Sequence, residues 1–390
     1  MANANPAFTD AEYADRLTRV RAAMDRAGLD ILLITDPSNM GWLTGYDGWS
    51  FYVHQGVIVG PDGPPHWWGR GMDAAGALRT VWMADDTIHG YDDIYVQNPD
   101  RHPMTDLCGV IAGLGWSGRF GVEMDNYYFS ATAYMTILNH FSDVADATGL
   151  VNWCRAIKSD TEITYLRRAG AIVTRMHAHI SEVAEVGMRK NDLVAQIMRI
   201  GIEGADGHWG DYPAIVPMAP SGMDATAPHL TWDHRPLTAG VATFFEIAGA
   251  YRRYQCPQSR TLFLGQVPDT YRRAEEAVQE ATDAVLHFAR PGATCADLAI
   301  AFNSTLARFG FEKDSRCGYS IGMSYPPDWG ERTMSIRRSD LTEIAAGMVF
   351  HFMPALWLDD GGIEMTEPIV ITADGARRLT ATPRGLVVKS

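Results

Sequence analysis

Apolar side chains between residues 10 and 27 fall at Tyr13, Leu17, Val20 and Met24, the three-and-four spacing of one helix face, and Gly28 follows as a stop. ILLITDPSNMGWLTGY then reads as a buried strand and a turn. FYVHQGVIVG and PPHWWGRG read as strands joined by the turn signal PDG. A helix near 72–83, a strand at IYVQN, another helix and a strand at RFGVEMD complete an alternating α/β pattern that ends near residue 150.

Beyond that point the pattern changes. Ser159 precedes a long helical repeat with Glu162 three residues on, a capping box. Two helices, a strand-rich region over 212–265, helices near 269–289 and 294–309, and strand-like segments at 348–358 and 368–373 define an α+β unit. A chain of 390 residues also exceeds one ordinary core, so two domains are predicted, 1–152 and 153–390. Within the second, residues 244–265 read FFEIAGAYRRYQCPQSRTLFLG: an apolar strand with one acid, Glu246, a turn expected at Gly249, and a return strand.

Composition narrows the function. Hydrophobic content of 46% and charged content of 21% are those of a globular protein. A net charge of -14 argues against nucleic acid and anionic membrane surfaces as partners. The leading stretch MANANPAFTDAEYADRLTRVRAAM has no apolar core of the kind a signal peptide needs, and no apolar run approaches a bilayer span. Five scattered cysteines without CxxC spacing read as reduced thiols. The expectation is a cytoplasmic enzyme.

The second half resembles the creatinase and methionine-aminopeptidase family, whose fold is called pita-bread. RAIKSDTEITYLRRA resembles the start of that family's catalytic domain, and SGMDATAPHLTW its loop bearing the active-site histidine, which places His229 there. GYSIGMSY stands where the family has GHGIG, GMVFHFMPALW where it has a glutamate before proline, and GGIEMTEPIVITADGARRLT matches its closing strands. The resemblance implies an α/β N-terminal creatinase-like domain followed by an α+β pita-bread catalytic domain. At the five metal-ligand places of the metal-dependent members this chain offers Glu246, Pro257, Tyr319, Met353 and an acid at Glu364 or Glu367. Proline and methionine leave no hard-oxygen cage for Mn, Fe or Co, so no metal and no other cofactor is expected.

Within the metal-free branch, TDPSNMGWLTGYDGWSFYVHQ, GRGMDAAG, RHPM and EIAGAYRRYQCPQSRT resemble the ectoine-hydrolysing members more closely than the creatine-hydrolysing ones. That resemblance implies opening of the cyclic amidine of ectoine, and of its hydroxylated form, to N-acetyl-diaminobutyrate. The alternatives are a creatinase-type or other metal-free C–N hydrolase, or a non-catalytic pita-bread binding protein.

Ectoine joins an amidinium to a carboxylate on one ring. A carboxylate pairs with the cation and can then attack its central carbon or direct water to it. Glu246 is the candidate, against the alternative of a strand-end acid paired with Arg252 or Arg253. His229 is the candidate proton shuttle; His234, in a DHRP turn, reads as surface. Glu364 and Glu367, three residues apart, face opposite sides of a regular strand, so one of them faces the site; alignment with the family by the GGI turn favours Glu364 as the second acid, while alignment by PIVIT favours a position nearer Glu367. Glu367 is retained as a substrate contact. Tyr319 is a hydrogen-bond donor or a structural tyrosine, and His351 points into the same site or packs in the core. In YDGWSFY and HWWGRG, Trp49 and Tyr52 offer aromatic faces to a delocalised cation and Arg70 a clamp for the carboxylate; Trp67 and Trp68 add to this aromatic density, and core packing is the alternative. The resemblance also implies a homodimer with composite active sites.

Overall fold

The computed structural model describes residues 6–390; the first five residues of the leading stretch lie outside it. The chain divides into two compact units, Met1–Arg155 and Ala156–Ser390. The division falls three residues beyond the expected 152, because the short helix Leu150–Cys154 belongs to the first unit, where Arg19 donates to the Cys154 carbonyl at 3.1 Å.

The first unit runs α1 (Asp10–Ala27), β1 (Ile31–Ile34), α2 (Pro37–Thr44), β2 (Gly56–Val59), β3 (His66–Arg70), α3 (Gly71–Thr80), β4 (Ile88–Tyr91), α4 (Met104–Gly113), β5 (Phe120–Val122), α5 (Ala131–Leu138), β6 (Val144–Asp146) and α6 (Leu150–Cys154). Its six strands form one mixed sheet in the order β4-β3-β2-β1-β5-β6. Helix α1 buries Tyr13, Leu17, Val20 and Met24 as their spacing predicts, and Gly28 ends it at φ 66°. The strand expected at IYVQN is displaced: Asp93–Tyr95 is a 3₁₀ turn, and the pairing strand is the preceding β4, parallel to β3.

The second unit begins with α7 (Asp160–Val183), capped by the Ser159–Glu162 box, and α8 (Lys190–Glu203). Residues 212–242, expected to be rich in strand, are instead a long connection with one 3₁₀ turn, Gly222–Thr226, and isolated bridges. Then follow β7 (Thr243–Tyr251), β8 (Tyr254–Leu264), α9 (Asp269–Phe288), α10 (Cys295–Arg308), β9 (Gly318–Ile321), β10 (Gly330–Ser335), β11 (Val349–Phe352), β12 (Ala355–Leu358), β13 (Gly361–Glu364), β14 (Glu367–Thr372), β15 (Gly375–Arg378) and β16 (Val387–Lys389). The strands form sheets ordered β10-β9-β11-β14-β15, β12-β13 and β16-β8-β7. A core of side chains from α9, α10 and the strands β9–β14 fills the unit.

The hairpin turns three residues later than its glycine suggests. Arg252 and Arg253 occupy the turn with φ of 49° and 66°, and Tyr251 pairs with Tyr254. Gly249 lies inside β7, where a Cβ would sit 2.2 Å from the Ala169 carbonyl oxygen and 2.7 Å from the Val173 nitrogen of α7. The glycine serves close helix-on-sheet packing, not a turn.

Candidate active site

The late turn sets the register that builds the site. Glu246 stands opposite Ser259, and Ala248 opposite Pro257. With a period of two, these four residues share one face of the hairpin, while Gly249, Gln258 and Arg260 share the other, against α7. The Ser259 hydroxyl donates to Glu364 Oε2 at 2.6 Å. Glu364 thus joins Glu246 on the first face. Its second oxygen, Oε1, is buried and has no hydrogen-bond partner.

Glu367 goes to the other face. It accepts from Arg260 at 2.7 Å, from Arg378 at 2.8 Å and from the Gln258 amide at 3.2 Å. Its expected role as a substrate contact is corrected: both carboxylate oxygens are committed to these three donors. The reason is that Glu364 and Glu367 do not share a strand. Glu364 ends β13 and Glu367 begins β14, in different sheets, with β8 presenting alternate side chains to each.

Glu246 and Glu364 are both buried, at 4% and 0% exposure. Burial, and then the charge of Glu364, hold the Glu246 carboxyl well above the ordinary range. Burial also pushes Glu364 up to about 7, against the opposing pull of Ser259 and of Lys313. Two desolvated carboxyls whose charges act on one another cannot both ionise cheaply without a cation beside them. The arginines at the hairpin turn are not that cation. The Arg253 backbone N–H donates to Asp211 and its guanidinium stacks 3.8 Å from the Tyr212 ring; Arg252 lies over Trp209.

Tyr319, on β9, stands directly across from His351 on β11. Its hydroxyl accepts from Trp329 Nε1 at 2.5 Å and meets His351 Nδ1 at 3.1 Å. Burial, followed by the charge of Glu246, holds the phenol well above its ordinary value, and the Arg316 guanidinium lies 4.2 Å from the ring centre. His351 is fully buried but not merely packed: Nε2 lies 2.7 Å from Thr366 Oγ1.

His229 is exposed in the loop after the 3₁₀ turn, with no hydrogen bond among the described residues. That loop is separated from the site strand by the segment at Met218. Met218 bridges Thr231, two residues beyond His229, on one side and exchanges backbone hydrogen bonds with Glu246 on the other. His234 is exposed, as its turn suggests.

In the first unit Trp49 and Tyr52 are exposed, at 56% and 70%, whereas Trp67 and Trp68 are core. Arg70 donates to Asp93 at 2.6 Å. Tyr52 lines a cavity of about 240 Å³ with His54, Tyr91, Tyr95, Asn98 and His102.

Ser259, Thr366, Trp329 and Lys313 were not anticipated. Ser259 follows from the hairpin register once the turn is known to lie at 252–253, which puts it opposite Glu246. The other three carry no pattern of their own.

Residues 164–373 match the Metallopeptidase family M24 and residues 16–157 the Creatinase/Prolidase N-terminal domain. The chain belongs to this family, with a creatinase-type α/β domain ahead of a pita-bread catalytic domain. Among its relatives, an ectoine hydrolase of Halomonas elongata is 55% identical over 98% of each chain. An uncharacterized hydrolase/peptidase of Sinorhizobium fredii is 41% identical over 98% of each. A prolidase of Thermococcus sibiricus shares the fold with a TM-score of 0.84 at 17% identity, covering 97% of this chain and 99% of that one.

A metallopeptidase family implies a metal, and the donor set here does not fit one. Pro257, on the Glu246 face, has no side-chain donor, and Met353 offers only a soft thioether where an oxygen ligand is needed. Among the described residues no group of three or more His, Cys, Asp or Glu is placed to hold an ion. No helix among them is long and apolar enough to cross a membrane.

Proposed function

We propose that the protein hydrolyses the cyclic amidine of ectoine, and of hydroxyectoine, to N-acetyl-diaminobutyrate without a metal. The observation that carries this reading is the buried Glu246–Glu364 pair, whose charges repel and whose Glu364 Oε1 lacks a partner. An amidinium supplies what the pair lacks: a delocalised positive charge and N–H donors directed at two acceptors. The relative from Halomonas elongata, named for ectoine hydrolysis and similar along nearly its whole length, supports the same substrate.

In this reading Glu246 attacks the amidinium carbon. A carboxylate already paired with the cation lies beside its electrophilic carbon, so little further ordering is needed. Glu364 gives the second contact to the amidinium. His229, on the exposed loop one segment removed from β7, moves protons between water and the site. Trp49, Tyr52 and Arg70 contribute from the first unit of a partner copy in a homodimer, where Arg70 holds the substrate carboxylate.

The test is direct. Purified protein is incubated with ectoine or with creatine while proton NMR follows both. Ring opening of ectoine to an N-acetylated diamino acid, with creatine untouched, is the expected result. Release of urea from creatine, with ectoine stable, would overturn the substrate.

A further inference from the structure

A chain of hydrogen bonds behind the carboxylate pair fixes where one proton lies. Trp329 Nε1 donates to the Tyr319 oxygen at 2.5 Å, and His351 Nδ1 lies 3.1 Å from that oxygen. On the far side of the imidazole, Nε2 lies 2.7 Å from Thr366 Oγ1, which also accepts the Ser259 backbone N–H at 2.7 Å. Both ends of the chain, an indole and an amide N–H, can only donate. The imidazole between them is neutral, since burial and then Arg316 push it down to about 3.

One ring proton therefore has two places to sit. Thr366 is fully buried, and among the described residues the acceptor in reach of its hydroxyl proton is His351 Nε2. A buried hydroxyl proton without an acceptor is costly, so Thr366 donates to Nε2 and the ring proton is on Nδ1. Tyr319 then accepts from His351 as well as from Trp329. Both lone pairs of its oxygen are used, and its own proton is left over. Glu246 is near enough for its charge to act on that hydroxyl.

We propose that Tyr319 is the catalytic proton donor to the departing ring nitrogen, held in that role by His351 as a positioning residue. The proposal rests on the cyclic-amidine reading. An amidinium has N–H donors but no basic lone pair, so the spare Tyr319 proton has no nitrogen to bind in the ground state. Addition of an oxygen at the central carbon makes both nitrogens pyramidal and basic. When the adduct collapses, the C–N bond breaks with its electron pair on the departing nitrogen, which takes the Tyr319 proton, while the retained nitrogen closes a C=N bond. The phenolate regains a proton from the water whose oxygen becomes the amide carbonyl. The second proton of that water also ends on the amine, which leaves as an ammonium carrying the charge the amidinium brought. A donor engaged only after addition lowers the barrier without tightening substrate binding.

The experiment measures kcat and KM for ectoine with the full-length enzyme and Tyr319→Phe. The expected result is a kcat lower by about 10²-fold or more with KM within about threefold. A raised KM at unchanged kcat assigns the hydroxyl to the substrate carboxylate and overturns the role, as does an unaltered enzyme. Because Tyr319→Phe leaves two buried donors without an acceptor and can cost folding, nitrogen NMR of histidine-labelled wild type is the second arm. A His351 signal protonated on Nδ1 and bare on Nε2 is expected; the reverse tautomer overturns the proposal whatever the variant does. Wild type with no turnover of ectoine defeats the substrate reading and this role together. Active wild type beside a fully active Tyr319→Phe defeats this role alone.

Discussion

The Ser259 hydroxyl donates to Glu364 Oε2 at 2.6 Å from the β8 position directly opposite Glu246. That single bond ties the second acid to the hairpin face that carries the first. It leaves Glu364 Oε1 buried and without a hydrogen-bond partner.

The pair predicts a pH profile. Glu364 is raised to about 7, and the substrate cation needs ionised carboxylates, so kcat/KM should fall as pH drops below about 7. In Glu364→Gln the repulsion on Glu246 is gone, and the acid limb should move to lower pH. Stability has the opposite slope. Between the ordinary 4.5 and about 7 the folded pair binds more protons than the unfolded chain, so its contribution to stability is present at acid pH and lost as pH rises. Thermal unfolding of wild type against Glu364→Gln across that range checks the sign; parallel curves would remove the pair from the account.

Glu367 and Glu364 should separate cleanly by phenotype. Glu367→Gln breaks a pair with Arg260 in which both side chains are at most 2% exposed, leaving a buried cation uncompensated at a cost of about 3–5 kcal/mol. Denaturant unfolding should show that loss, with KM of the folded fraction near wild type. A Glu367→Gln enzyme of normal stability and raised KM would return Glu367 to the site.

For His229 the expectation is kinetic. His229→Ala should lower turnover by about 10²-fold or more while leaving the melting temperature near wild type, because the side chain is exposed. Near-normal turnover would reduce it to a surface histidine.

Metal independence is checked by elemental analysis of active enzyme and by assay in EDTA. No stoichiometric transition metal and an unchanged rate are expected from a donor set containing Pro257 and Met353. Activity lost to the chelator and restored by Mn or Co would show that other residues hold a metal.

The parts of this fold written in local chemistry were legible. The α1 face, the Ser159–Glu162 cap and helices α9 and α10 follow from periodicity and capping within a few residues. The hairpin was legible but its register was not, because two arginines at positive φ give no turn signal while Gly249 gives a false one. From that misplaced turn Ser259 stayed hidden. Glu364 and Glu367 looked like one strand because the break at Met365–Thr366 has no proline or glycine. The Trp329–Tyr319–His351–Thr366 chain joins four separate segments between residues 319 and 366, and only folding brings them within hydrogen-bond range.

The central claim, that Glu246 itself attacks the amidinium carbon, is tested most directly by intact-mass and peptide mass spectrometry of enzyme quenched rapidly during turnover of ectoine. An added mass of one substrate on the peptide containing Glu246, absent from Glu246→Gln, is the expected result. Full turnover with no such adduct at any quench time would contradict nucleophilic attack and leave Glu246 the task of activating water.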